Sequence, residues 1–144
     1  MSFKTEIEFV RELEKHFARL NNSIIWLEVP NMGQSVDMVV KMEDKLLLIE
    51  AKLKNWDRAI FQCQAHQMVA DYIYVAVATL EIPDKLYLRA TELGYGILHF
   101  DRNTKLVHER LKARKNSYWK PQRDIFEEKL YNPHNYESAA LDVI

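Results

Sequence analysis

Two apolar runs, Val36–Met42 and Lys45–Lys52, stand on either side of the dipeptide Glu43-Asp44. Strand-forming runs split by two turn residues predict a β-hairpin, and no other stretch of the chain leaves so little choice. Ile24–Val29 precedes them across Pro30-Asn31-Met32-Gly33, so the three runs predict an antiparallel meander. A meander must bury its apolar face under another layer. The flanking sequence offers one, because Thr5–Leu20 carries Ile7, Val10, Leu13, Phe17 and Leu20 at helical spacing and stops at Asn21-Asn22. Trp56–Ala70 predicts a second helix, and Tyr72–Ala78, reading YIYVAVA, is apolar enough on both faces for a central strand. A helix followed by a buried strand implies a crossover. Beyond it the chain predicts a helix from Pro83-Asp84 to about Leu93, a strand Ile97–Phe100, an edge strand Lys105–Arg114 and a helix Pro121–Leu130. The last dozen residues, from Asn132-Pro133, read as loosely ordered. The order αβββαβαββα predicts a mixed α/β fold in one domain over 1–144, its core at about 5–100 and a basic C-terminal extension over 101–144.

At 144 residues, 48% hydrophobic and 28% charged, the chain is long enough to bury a core without staples. Cys63 is the sole cysteine, which excludes an intrachain disulfide and a four-cysteine zinc site. The start, MSFKTEIEF, lacks a continuous apolar segment, and the longest apolar stretch, Tyr72–Leu80, is too short to span a bilayer. The expectation is a cytoplasmic protein with no membrane association. His16, His66, His99, His108 and His134 show no HExxH spacing, and no phosphate loop, GxGxxG or GxSxG is present.

A net charge of −1 argues against a uniformly basic coat, yet Arg102–Arg123 holds eight basic residues against Glu109 alone. Strand alternation predicts Arg110, Lys112 and Arg114 on one face, with Lys115 and Lys120 flanking Tyr118-Trp119. That pattern suits phosphate contact with base or sugar stacking. It also suits simple protection of an edge strand.

Alternation puts Glu50 and Lys52 on one face of their strand, with Cα atoms about 6.6 Å apart. A turn at Glu43-Asp44 brings Asp37 opposite about Glu50. Two adjacent carboxylates repel, and a divalent cation relieves that repulsion. Leu46-Leu47-Leu48-Ile49 leads straight into Glu50, so the acid ends a strand that should be buried, where an idle carboxylate is unfavourable. The plain alternative is a surface salt-bridge cluster of little energetic consequence. Glu6 projects near the middle of the first helix's apolar stripe, which needs a partner, a hydrogen bond or a metal unless the first turn carries it into solvent. A carboxylate-held Mg²⁺ can activate water, neutralise a pentacovalent phosphate and stabilise a leaving alkoxide, and Lys52 can orient or deprotonate the water.

Val36-Asp37-Met38-Val39-Val40 followed by Ile49-Glu50-Ala51-Lys52 resembles the motif of the PD-(D/E)XK nuclease superfamily, with Val36 where that motif has Pro. The resemblance covers about the first eighty residues. It implies a restriction endonuclease-like fold with an αβββαβ core flanked by helices, and a metal-dependent nuclease acting on DNA. It further implies Asp37, Glu50 and the Ala51 backbone carbonyl as ligands of Mg²⁺, with Mn²⁺ as substitute, and Lys52 as the catalytic base or electrostatic partner. Glu6 matches the helix acid that many members add to the metal site. Gln62, in Trp56-Asp57-Arg58-Ala59-Ile60-Phe61-Gln62, matches a glutamine of some branches, although Gln67 projects closer to the apolar face of its helix. Symmetric double-strand cutting requires a homodimer. A non-catalytic nucleic-acid-binding or assembly module is the alternative, and an RNA nuclease would share the chemistry but finds no RNA-reading module here.

Overall fold

The computed structural model describes residues 3–132. Its elements are α1 (Glu6–Ala18), β1 (Ser23–Asn31), β2 (Gln34–Met42), β3 (Lys45–Lys52), α2 (Trp56–Gln64), a 3₁₀ turn (Ala65–Met68), β4 (Tyr72–Val77), α3 (Asp84–Leu93), β5 (Gly96–Asp101), β6 (Leu106–Leu111) and α4 (Lys120–Tyr131). The predicted order is matched. The tail after Asn132 lies outside the described residues.

The six strands form one mixed sheet in chain order. β1, β2 and β3 make the antiparallel meander, and the register Met38↔Ile49 through Met42↔Lys45 is the one a turn at Glu43-Asp44 dictates. β3, β4 and β5 run parallel, as two helical crossovers require, and β6 returns antiparallel on the far edge.

Alternation sorts the side chains into two cores. Phe9, Leu13 and Phe17 of α1 cover one face with Met38, Val40, Ile49, Ala76 and Leu98. The other face carries Val39, Leu46, Leu48, Ile73 and Val75 under Ile60 and Cys63 of α2, Leu86 and Ala90 of α3, and Phe126 and Leu130 of α4. The buried row of α1 differs from the predicted stripe: Phe9 is enclosed, whereas Ile7 is 62% exposed. Glu6, Phe9, Leu13 and Phe17 follow i, i+3, i+4 spacing, so Glu6 extends the buried row one turn past the edge of the core. The second helix is shorter than predicted, because the chain tightens to 3₁₀ geometry from Ala65.

The parallel strands end together at Lys52, Val77 and Asp101. In open sheets with helical crossovers this carboxyl edge is where ligands are bound. At the opposite edge, Arg123 of α4 joins Asp71 at 2.9 Å while Asp71 accepts the Leu46 N–H at 2.8 Å, a buried network that pins α4 there.

Candidate functional site

The β1–β2 ladder pairs Leu27↔Met38 and Val29↔Val36 but skips the step between them, where Glu28 opposes Asp37. Glu28 has a φ of 52°, a left-handed conformation that a side chain with Cβ adopts at a cost. The distortion changes which face each strand presents. Leu27 and Met38 pack toward α1, whereas Val29 and Val36 pack toward α2. The β2–β3 ladder stops at the same level, its last pair being Met38↔Ile49. The Asp37 side chain takes over from the ladder, its Oδ2 accepting the Ala51 N–H at 2.8 Å.

Glu50, on the α2 face of β3, is fully buried. Its Oε2 lies 2.7 Å from Nε2 of His66, itself fully buried in the 3₁₀ turn. Asn31 Nδ2 stands 3.0 Å from His66 Nδ1 and donates to the Ala65 carbonyl at 3.2 Å. Because a carbonyl only accepts, the Asn31 amide must present its NH₂ to both groups. His66 Nδ1 therefore accepts, Nε2 carries the proton, and the imidazole donates to Glu50. Oε1 of Glu50 is buried with no well-placed donor, and the Glu50 carboxyl lies against the carboxyl and backbone N–H of Asp37.

The electrostatics follow from this crowding. Burial raises the Glu50 carboxyl to about 7, and burial together with the Glu50 charge raises Asp37 to about 7. Burial lowers His66 to about 4, keeping it the neutral donor. The buried Cys63 thiol is pushed up, first by burial and then by the charges of Glu50 and Asp37.

Lys52 closes the strand, its side chain 16% exposed and its Nζ 3.6 Å from Glu6 Oε1. Glu6 Oε2 also accepts the Leu53 N–H at 3.4 Å, so the helix acid meets the lysine and the strand end. Gln62 is half-buried, and its Oε1 is enclosed without a hydrogen-bond partner. Gln67 instead donates to the Tyr95 hydroxyl at 2.6 Å, a structural contact.

Among the described residues no three His, Cys, Asp or Glu side chains form a metal-binding group. Two carboxylates nonetheless fit a hard divalent cation here: Glu50 Oε1 is an orphaned buried acceptor, its neighbour Asp37 has one oxygen engaged by Ala51, and the donors are all oxygen. Water and substrate phosphate would fill the remaining positions, as is usual for Mg²⁺.

The basic segment is not one surface. A register irregularity at Ile97/Leu98 interrupts the alternation of β6. Arg110 reaches Asp101 at 3.6 Å, Lys112 lines a hollow with Tyr74 and Glu109 on the α1 face, and Arg114 donates to the Thr91 and Glu92 carbonyls at the end of α3. Lys120 pairs with Asp124 at 3.0 Å and Arg123 with Asp71. Because β6 runs antiparallel to β5, it carries the chain away from the carboxyl edge, so Lys112, Arg114, Lys115 and Lys120 gather at the opposite end of the sheet from Glu50. The expected shared face of Arg110, Lys112 and Arg114 is thus corrected by strand polarity and the bulge.

No protein-family model matches the chain, and no curated protein matches it. Solved structures do. A protein of unknown function from Silicibacter pomeroyi superposes with a TM-score of 0.66 at 16% identity, over 96% of this chain and 99% of that one. An XisH family protein from Nostoc punctiforme PCC 73102 superposes with a TM-score of 0.51 at 14% identity, over 76% of this chain and 98% of that one. The fold is restriction endonuclease-like. At these identities the likeness speaks for architecture, and the chemistry rests on the residues above. The described helices include none long and apolar enough to cross a membrane.

Sequence reasoning missed His66 and Asn31. His66 follows Cys63 by three positions on the apolar side of the helix that the sequence predicts over Trp56–Ala70, so a histidine aimed at the core was a legible signal. Asn31 read as part of a turn, and nothing local marked it.

Proposed function

We propose that the chain is a cytoplasmic, Mg²⁺-dependent nuclease that hydrolyses DNA phosphodiester bonds at the Asp37, Glu50 and Lys52 cluster. The observation that carries this reading is the Glu50 carboxyl, buried and set against the Asp37 carboxyl at the carboxyl edge of parallel strands, with no donor well placed for its Oε1. Such a pair is costly to the apo protein and is explained by a cation. Asp37, Glu50 and the Ala51 carbonyl would hold Mg²⁺, which when bound supplies charge neutralisation at the phosphate and a more acidic water. Lys52 Nζ orients that water and offsets charge on the phosphate, and Glu6 holds Lys52 in reach. Exposed bases at the same edge, Lys54, Arg102 and Lys105, are the phosphate contacts this geometry favours. Arg102 leans there on the Ala78 carbonyl at 3.4 Å.

The alternative, a non-catalytic nucleic-acid-binding or assembly module, is favoured by the complete burial of Glu50 and its bond to His66, which also suits a purely structural pair. Incubation with Mg²⁺ or Mn²⁺ against linear, nicked, flapped, branched and single-stranded DNA, and RNA, separates the two. Cleavage lost in Asp37→Asn and Glu50→Gln supports the nuclease. DNA binding without cleavage of any substrate in either metal supports the module.

A further inference from the structure

Each carboxylate of the pair has one oxygen already engaged. Oε2 of Glu50 accepts from His66 Nε2 at 2.7 Å, and Oδ2 of Asp37 accepts from the Ala51 N–H at 2.8 Å. The His66 proton sits on Nε2 because Asn31 donates to Nδ1, and the Ala65 carbonyl holds the Asn31 amide in that orientation. Glu50, His66 and Asn31 are all at most 1% exposed, so no water competes for these bonds. Each acid therefore has one oxygen tied to a protein donor, which fixes the turn of the carboxylate and leaves the other oxygen as the freer ligand for a cation.

We propose that His66 and Asn31 are positioning residues that fix the orientation of the Glu50 carboxylate, favour ligation through a single oxygen and so make the site selective for a small octahedral cation over Ca²⁺. The inference rests on the metal-dependent reading above and deepens it. Ca²⁺ takes six to eight oxygens at 2.3–2.6 Å and commonly chelates a carboxylate through both, whereas Mg²⁺ and Mn²⁺ accept single oxygens completed by water. A Glu50 released from His66 could turn both oxygens to the cation, and discrimination against Ca²⁺ would fall. Groups that orient metal ligands contribute about 10- to 100-fold in affinity, which sets the size of the effect.

The test is calorimetric titration of the full chain with Mn²⁺ and with Ca²⁺, in wild type, His66→Leu, His66→Gln and Asn31→Ala, each checked for folding by near-UV circular dichroism. The wild type is expected to prefer Mn²⁺. His66→Leu, which deletes the donor, should narrow the Mn²⁺/Ca²⁺ ratio by about 10-fold or more. His66→Gln, which can still donate, should restore part of it, and Asn31→Ala should narrow it in the same direction by freeing the tautomer. If His66→Leu does not fold, Asn31→Ala decides. Nitrogen NMR of the wild-type imidazole decides independently, since a proton on Nδ1 in place of Nε2 overturns the arrangement. A ratio unchanged in folded His66→Leu refutes this inference alone, provided Glu50→Gln abolishes the Mn²⁺ heat. Mn²⁺ heat that survives Glu50→Gln refutes the metal reading itself.

Discussion

Replacing Glu50 by Gln should make the metal-free protein more stable, although the residue is buried in the centre of the site. The carboxyl is carried from 4.5 to about 7 in the fold, chiefly by burial. Its ionisation in the folded state therefore costs on the order of 3 kcal/mol more than in the unfolded chain. Because the folded value lies above the unfolded one, the folded state binds more protons between them. Stability is fully present below about pH 4.5 and is lost as pH rises through about 7. Gln keeps the shape, can accept from His66 through its carbonyl, and presents an NH₂ toward the Asp37 carboxyl where Oε1 had no partner. Thermal unfolding in a chelator should then show Glu50→Gln melting above wild type by roughly 6–12 °C at about pH 8, taking 2–4 °C per kcal/mol for a chain of this size. At about pH 5 the two should nearly coincide. Saturating Mn²⁺ should reverse the order at about pH 8, since only the carboxylate gains from the cation. A variant that melts below wild type at about pH 8 without metal, or a difference that ignores pH, refutes the claim that the carboxylate is held against its own solvation.

Lys52→Met keeps the stem and removes the charge, so DNA and Mn²⁺ should still bind while single-turnover cleavage falls by about 10²-fold or more; equal rates would make Lys52 structural. In DNA titrations at several salt concentrations, Lys54, Arg102 and Lys105 changed together to Ser should flatten the log–log salt slope by up to about 0.9 per lost phosphate contact. The same change at Lys112, Arg114 and Lys115, at the other end of the sheet, should leave the slope nearly intact, and the opposite outcome would move the DNA to that end. Arg123→Met should unfold at lower denaturant, by about 3–5 kcal/mol, because it leaves the buried Asp71 charge without its cation and with the Leu46 N–H still bonded to it; a loss under about 1 kcal/mol would mean that water reaches the pair.

What was legible in the sequence was whatever a local period encodes. Runs of two-residue period around Glu43-Asp44 set the hairpin register and with it the adjacency of Asp37 to Glu50, and the apolar run into Glu50 announced its burial. Glu6 was legible for the same reason, one turn beyond Phe9 and Leu13 on the helix. Three features were not. The bond from His66 to Glu50 joins a 3₁₀ turn to a strand, and Asn31 reaches it across 35 positions of sequence, so the core-facing side of His66 was legible and its partners were not. The distortion at Glu28 falls on a residue with no propensity for positive φ, and tertiary packing imposes it. The basic segment misled because charge along a chain carries no direction. The antiparallel return of β6 and its bulge decide where Lys112 and Arg114 end up.

Several of the places where the chain breaks ordinary rules are neighbours. Glu28 in left-handed backbone opposes Asp37, Asp37 substitutes for a ladder bond at Ala51, and Ala51 follows a buried acid with an orphaned oxygen. Elsewhere the same sheet is regular apart from the bulge between β5 and β6. A buried carboxylate pair could be relaxed by a single change to an amide, and the stability gained would be a sizeable part of the 5–15 kcal/mol that a domain typically has. Retention of that cost is the mark of a site tuned for a ligand instead of for the fold. The far end of the sheet shows the contrast. Asp71, as buried as Glu50 is, faces Arg123 and the Leu46 N–H and so carries its charge with full compensation. Glu50 in β3 and Asp71 just before β4 are both buried, so burial alone does not separate a structural carboxylate from a functional one. Their neighbours do: Asp71 faces an arginine, whereas Glu50 faces a second carboxylate, the arrangement that the proposed cation would relieve.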